Sequence, residues 1–580
     1  DANATDTPAD TKLQPGDTVI FKGGVAYHGS ISVTTSGKAN QPITLDGNSE
    51  GKFGTGKAIL DGGRIVEGWK PVASAEEAGG NPLWKKIFYA DIDVNLSPNA
   101  NHGTFVVHRQ QPRDKQAPWQ RIILSDGDRS LLPISQFPKP TDDFYPDLPG
   151  DFLKSDAKLD VRKDENISVI TDAKNLTAKN ADAYDGMFVG VHGGNNHVYF
   201  GAVKGYDPAK NQLIVPLFTP STYPTTKYAL YNSIKLIDKP GEWAVVATDD
   251  KQSRIYLLPE RLVKDQPDNI GFPDFATGIS IDKGASYVSV KNFRIQRFSG
   301  GGGAVSVARS TPRSNNIQVS DCEIRFVSGH AGIGLNYCDE VVVENNYIYQ
   351  CPSWTTGIFL SRVNDYVVRN NFLRKNSGSG IRHYEAKKGE LRDNVILDHF
   401  GMHSSGINVY EGCADLVFEG NYIENTVAIN RNAENIVFRN NVFDAGNKSP
   451  VNVAMWSSGT VGGREIKNIQ FLNNTFVNNS HQANYATGIF GQGGAGTPEG
   501  LIVRGNIMDR LTSNLKGEFE NNLFLRETKK PFLDEKSQVV SNPDKLFRDP
   551  AKQDYRRAPG GPAMDVGANV PPPPEKPKGY

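Results

Sequence analysis

Cysteine, methionine and tryptophan are scarce in this 580-residue chain, at 4, 5 and 6 residues. The four cysteines, Cys322, Cys338, Cys351 and Cys413, form no C-x-x-C pair and have no histidine set beside them, which excludes a zinc–thiolate site. Cys338 and Cys351 are spaced to bridge one turn in an oxidising compartment; buried reduced thiols are the other reading, and spacing alone does not choose between them. A dominant charge is missing too. The 64 Lys and Arg against 65 Asp and Glu leave a net charge of -1, with no overall field to draw nucleic acid or anionic lipid. No apolar run approaches the roughly 18 residues of a spanning helix, so no membrane span is expected. The polar start from Asp1 to Asp10 is not a signal peptide and reads as an already trimmed mature end, which implies a secreted or periplasmic protein.

What is plentiful is glycine, with 58 residues, and proline, with 35. Turns on that scale leave little room for long helices and predict a β-rich chain. Self-similarity between Gly278 and Asn506 then specifies the kind of β-structure. First strands recur as GISI from Gly278, AVSV from Ala304, GIGL from Gly332, GIFL from Gly357, GIRHY from Gly380, GINVY from Gly406, VAIN from Val427 and VNVA from Val451. Second strands end on asparagine: VSVKN at Asn292, then Asn346, Asn371, Asn394, Asn421, Asn441, Asn474 and Asn506. From Asn346 onward the spacings are 25, 23, 27, 20, 33 and 32 residues. A unit this short cannot bury its own apolar face and must stack on its neighbours as one coil of a solenoid. Asparagine suits the bend, tolerating left-handed backbone and, when stacked, forming an amide ladder.

This pattern resembles the right-handed parallel β-helix of secreted carbohydrate-active enzymes, and the fold class expected is all-β. PGDTVIF from Pro15, GSISV from Gly29, QPITLDG from Gln41 and AILDGG from Ala58 read as opening coils, residues 1–63. Longer β-like runs then interrupt the repeat over 64–261, an inserted β-rich domain; its end, KPGEWAVVATDDKQSRIYLLPE from Lys239, is similar to a segment of the β-helix xylosidase and fucosidase families with an inserted sandwich. The main helix occupies 262–530, and 531–580 form a C-terminal cap whose Pro571 to Pro574 begin a stiff, exposed tail.

Strand alternation selects the candidate site. If the residue after each opening Gly points inward, the second and fourth positions face outward on one wall. The second position reads Gly334, Phe359, Arg382, Asn408 and Ala428, the fourth Asn336, Ser361, Tyr384, Tyr410 and Asn430, and the fifth Tyr337, Arg362, Glu385, Glu411 and Arg431. Coils lie about 4.8 Å apart, so Glu385 and Glu411 would face one another at the roughly 5 Å separation of a retaining glycosidase. Like charges that close would keep one group protonated, giving an acid and a nucleophile. A surface ladder of Arg362, Glu385, Glu411 and Arg431, or a structural or catalytic calcium ion held by the two acids, is the competing reading; no other cofactor is implied. His330 and His403 precede first strands and would line the same cleft, His403 as a base or substrate-orienting group, whereas His383 falls on an inward position. Tyr384 and Tyr410 offer sugar-stacking faces beside Arg382 and Asn408, and Arg suits a uronate or sulfate.

The expected function is therefore hydrolysis of a polysaccharide or oligosaccharide along the wall from Gly332 to Trp456, with Glu385, Glu411 and His403 catalytic. Arg382, Tyr384, Asn408, Tyr410, Arg362, Asn430, Arg431, Asn336 and Trp456 would bind substrate. The same groups would serve a polysaccharide lyase, with Arg382 or Asn408 neutralising a uronate and Tyr384, Tyr410 or His403 moving protons. The lysine–arginine pattern of β-helix chondroitin and alginate lyases is missing, as are the aspartate cluster of pectate lyases and the paired aspartates of polygalacturonases. A glycan-binding adhesin is the third alternative. GQGGAG from Gly491 leads into a strand rather than a helix, so it makes no dinucleotide site.

Overall fold

A computed structural model describes residues 13–94, 124–127, 129–142, 144, 151–194, 197–218, 223–248, 252–352, 355–399, 404–445, 452–456, 465–478, 488–492, 498–511, 515–525, 532–540, 545–560 and 565–577. Among them there is no α-helix. Three parallel sheets, of 11, 12 and 13 strands among the described residues, run the length of a right-handed parallel β-helix. One sheet contains the first strands, Thr277–Ile281, Gly303–Val307, Ala331–Asn336, Thr356–Ser361, Ile381–Tyr384, Ile407–Val409 and Val427–Asn430 among them, each in parallel register with the next. Their inward residues, such as Ile333, Ile358, Ile381, Ile407 and Ile429, are fully buried in one continuous core. Period-2 alternation therefore places the second-position residues on the outer wall, as the sequence requires.

Asparagine does two jobs, on two adjacent columns. Asn345, Asn370, Asn440 and Asn473 have φ between 53° and 55°, the left-handed bend after the second strand. The residue that follows each, Asn346, Asn371, Asn441 and Asn474, is buried and carries the ladder. Asn346 Nδ2 donates to Asn371 Oδ1 at 3.0 Å, and the same link continues through Asn394, Asn421, Asn441, Asn474 and Asn506 to Asn522. Asn292, with φ 60°, belongs to the bend column, so it lies one residue off the ladder where the sequence pattern had merged the two.

The opening coils pair directly with the coil that follows the insertion: Ile43–Asp46 lies against Val288–Lys291 and Ala58–Asp61 against Phe293–Gln296. The stack is thus continuous across the inserted antiparallel sheets. These close where Gly63–Ile65 pairs with Ile270–Pro273, so the stretch from 262 to 273 joins the insert's antiparallel pairing and the coils resume at Thr277–Ile281. Lys375, in the turn between Phe372–Arg374 of the 13-stranded sheet and the wall strand Ile381–Tyr384, meets the insert: its Nζ stands 3.8 Å from Asp142 and 5.3 Å from the Phe144 ring centre.

The C-terminal segment up to Val570 is a strap along the helix, and Pro571 to Pro574 beyond it are exposed or half-buried. Leu546, Phe547, Tyr555, Val566, Ala568 and Val570 pack on Tyr422, Val442, Val477 and Ile507, the outer face of a second sheet. Backbone contacts climb the coils from Gly567 at Gly505, through Ala568 at Thr475 and Asn569 at Asn440, to the Glu575 carbonyl at Arg374. Apolar outward positions on that sheet are the reason: without the strap they would be bare. All four cysteines are buried and unbridged, with thiols pushed up to about 11 or 12 by burial.

Candidate functional site

On the outer wall, Arg382 and Asn408 are in-register neighbours and both are nearly covered, at 7% and 2% exposure. Serines from the turns ahead of their strands bind them. Ser379 Oγ donates to Asn408 Oδ1, Arg382 Nη2 donates to Ser379 Oγ at 3.3 Å, and Asn408 Nδ2 donates to Ser405 Oγ at 3.2 Å. The guanidinium of Arg382 also lies 5.6 Å from the Tyr410 ring centre. The serines escaped the sequence reading although each sits in a repeated Ser-Gly-Ile, Ser379–Ile381 and Ser405–Ile407. One coil earlier, exposed His330 meets Phe359 edge-on at 4.4 Å between ring centres. His383 points into the core, where burial pushes its imidazole down to about 4 and its Nδ1 stands 3.0 Å from the Asn408 carbonyl.

At the far edge of the wall the chain turns, and here the structure alters the expected column. Five residues separate Ile381 from Lys387, but six separate Ile407 from Ala414, although both pairs are in register. The longer turn adds one residue. The left-handed position consequently stacks as Tyr337, Arg362, Glu385, Gly412 and Asn432, with φ of 58°, 54°, 48°, 73° and 56°. Gly412, not Glu411, lies against Glu385: a Cβ placed on Gly412 would come within 3.2 Å of Glu385 Cγ.

The two acids therefore do not share one column, and each has an arginine partner. Arg362, one coil earlier, clasps Glu385 through Nε and Nη2 at 2.8 and 3.0 Å. Arg431, one coil later, approaches Glu411 at 3.5 Å. Arg362 and Arg431 stand on the coils to either side of the two acids, so each carboxylate has its own cationic partner. The backbones still touch, the Glu385 N–H donating to the Glu411 carbonyl at 2.8 Å. Glu411 thus stands one residue out of the Glu385 column, and the arginine–glutamate ladder of the competing reading is present. Counting back from the buried residues that follow each turn, Val363, Ala386, Cys413 and Ala433, would have revealed the shift.

Tyr384 bridges wall and edge. Burial, with the Glu385 carboxylate beside it, raises its phenol above the ordinary value, and Arg362 lies 5.5 Å from its ring centre. Asn336 stands in register with Ser361 and Tyr384 along the same row, half-buried. Asn430 is in register with Trp456 two coils beyond Tyr384; only the backbone of Trp456 is described. His403 lies outside the described residues. No group of His, Cys, Asp or Glu side chains suited to a metal ion occurs among the described residues.

Residues 311–476 match the family described as a right handed beta helix region. Among curated proteins none matches the chain by sequence. A solved structure described as a glycoside hydrolase superposes with a TM-score of 0.53 at 12% identity, over 87% of this chain and 89% of that one. The complex of XylC with xylose gives 0.46 at 12% identity over 90% and 82%. The A-module of the Azotobacter vinelandii mannuronan C-5 epimerase AlgE6 gives 0.35 at 13% identity over 46% and 77%. At 12% identity the first of these likenesses establishes a shared fold and nothing finer.

Proposed function

We propose that the chain is a carbohydrate-active enzyme, a secreted or periplasmic glycoside hydrolase that binds an oligosaccharide or polysaccharide along the wall from Gly332 to Trp456. One observation carries the reading: the covered Arg382–Ser379–Asn408–Ser405 network and the Tyr384 and Tyr410 rings share one wall with two carboxylates at its turn edge. A solenoid gains little from covering an arginine and an amide on its outer face, whereas a sugar is held by such donors beside aromatic rings. The insert, touching Lys375 on the opposite edge, would bank the groove.

Within that groove the two carboxylates, each tied to its own arginine, are read as an inverting pair. Inverting enzymes keep acid and base about 6.5–9.5 Å apart, with a water between base and sugar. Glu385, clasped by Arg362 at two atoms, is the base that activates this water; Glu411, whose contact with Arg431 is the longer, protonates the leaving oxygen. A lyase is the second reading, favoured by the guanidinium of Arg382 beside the Tyr410 phenol, a cation for a uronate next to a proton carrier. Digestion of a panel of neutral and acidic glycans tests both. A hydrolase releases reducing ends without near-ultraviolet absorbance, and a lyase releases them with the absorbance of a new conjugated double bond. If no glycan in the panel is cut, the enzymatic reading is wrong.

A further inference from the structure

Three guanidinium groups gather around one phenol ring at the turn edge, on the coils that precede Glu385. Arg309, Arg313 and Arg362 lie 4.5, 5.0 and 5.5 Å from the centre of the Tyr337 ring. Two of the three are engaged by carboxylates. Arg313 forks onto Asp339 at 2.8 and 2.7 Å and also reaches the Arg362 carbonyl at 2.7 Å. Arg362 forks onto Glu385, as described above. Asp339 is a firm counter-ion: burial would raise its carboxyl, but the bonds from Arg313 and Asn364 outweigh that and hold it below the usual range.

Arg309 is different. Its polar contact among the described residues is Nη2 to the Tyr337 hydroxyl at 3.4 Å, and no described carboxylate lies within ion-pair distance. Three cations and two carboxylates leave one positive charge without a counter-charge, on an exposed guanidinium. Stacking on Tyr337 restricts that guanidinium before any ligand arrives, so less freedom is lost on binding. A guanidinium so held matches the paired oxygens of a carboxylate or sulfate.

We propose that Arg309 and Tyr337 form a subsite for an anionic group on a sugar, a uronate carboxylate or a sulfate ester, in a glycan that continues along the edge from Glu385. The inference rests on the glycan-binding reading above and adds the substrate class. Tyr337 stands two coils before Glu385 and Arg309 three, so the subsite begins about 10 Å along the axis from Glu385. At that distance it selects substrate and takes no part in bond cleavage.

Affinity electrophoresis through gels containing polygalacturonate, a sulfated galactan or a neutral glucan tests the subsite without requiring turnover. At least one acidic gel retards the wild type, and which one separates uronate from sulfate. Arg309→Ala weakens that retardation about tenfold, the loss of a charge-assisted contact. Arg309→Lys falls between the two, and the neutral gel does not distinguish them. The inference is overturned if Arg309→Ala is retarded like wild type in the acidic gels, or if neither acidic gel retards the wild type. Digestion of the glycan panel keeps the two proposals separable. Retention through Arg309 with no cleavage keeps the subsite and removes the enzyme, while cleavage indifferent to acidic groups keeps the enzyme and removes the subsite.

Discussion

Gly412 decides where the Glu385 side chain can go. Its φ of 73° is a conformation other residues adopt at a cost, and a methyl group there would press on Glu385 Cγ at 3.2 Å. Gly412→Ala should therefore cost about 1–2 kcal/mol of stability, read as a lowered Tm, and should cut activity further by displacing Glu385 from Arg362. The roles proposed for the two acids also set the stereochemistry expected of the reaction. Glu385 and Glu411 acting as an inverting pair predict a product of inverted anomeric configuration, observable by proton NMR before mutarotation; retention of configuration would contradict it. A tighter case sits inside the helix, where a Cβ on Gly389 would fall 2.1 Å from Tyr366 Cζ. Gly389→Ala forces that buried ring aside, and a loss of about 1–3 kcal/mol should appear in thermal unfolding.

For the coil, the asparagine ladder is the element that holds the turns together. Asn421 accepts from the Asn394 backbone N–H and side chain, and donates to the Leu391 carbonyl and to Asn441. Asn421→Ala would orphan those buried groups, each worth about 1–3 kcal/mol, so the Tm should fall far more than for Asn440→Ala at the neighbouring bend. This ladder was legible because a stacked repeat leaves the same residue at the same place in every coil, and glycine–apolar alternation marked the inward positions. The site was legible only in part. Alternation carries strand residues correctly, which is why Arg382 and Asn408 fall on the outer wall, but it stops at the turn. There a single extra residue moved Glu411 out of the Glu385 column, and periodicity holds no record of turn length. Ser379 and Ser405 were passed over because their importance depends on contacts across coils. The course of the strap up to Val570 was not legible because the sequence of a cap does not say which apolar sheet it covers.

Across the whole molecule, burial without charge makes the solenoid sensitive to acid. Burial pushes His383 and His399 down to about 4, against about 6.5 in an unfolded chain, so the unfolded state takes up protons first. Stability is then full above about pH 6.5 and falls as pH drops toward 4, by on the order of 3 kcal/mol per histidine, and levels off below. Tm measured between pH 7 and 4 should show this slope, and His383→Phe should remove roughly half of it. The strap adds a second global element: removing residues 565–580 should uncover Tyr422, Val442 and Ile507, lower the Tm and raise binding of a hydrophobic dye. The central proposal is that Glu385 and Glu411 cut a glycan on the wall. The most direct test is the rate on the most responsive glycan for wild type, Glu385→Gln and Glu411→Gln, each checked for an unchanged Tm. Both substitutions are expected to lower kcat/KM by about a hundredfold or more; full activity in both would place the chemistry elsewhere on the helix.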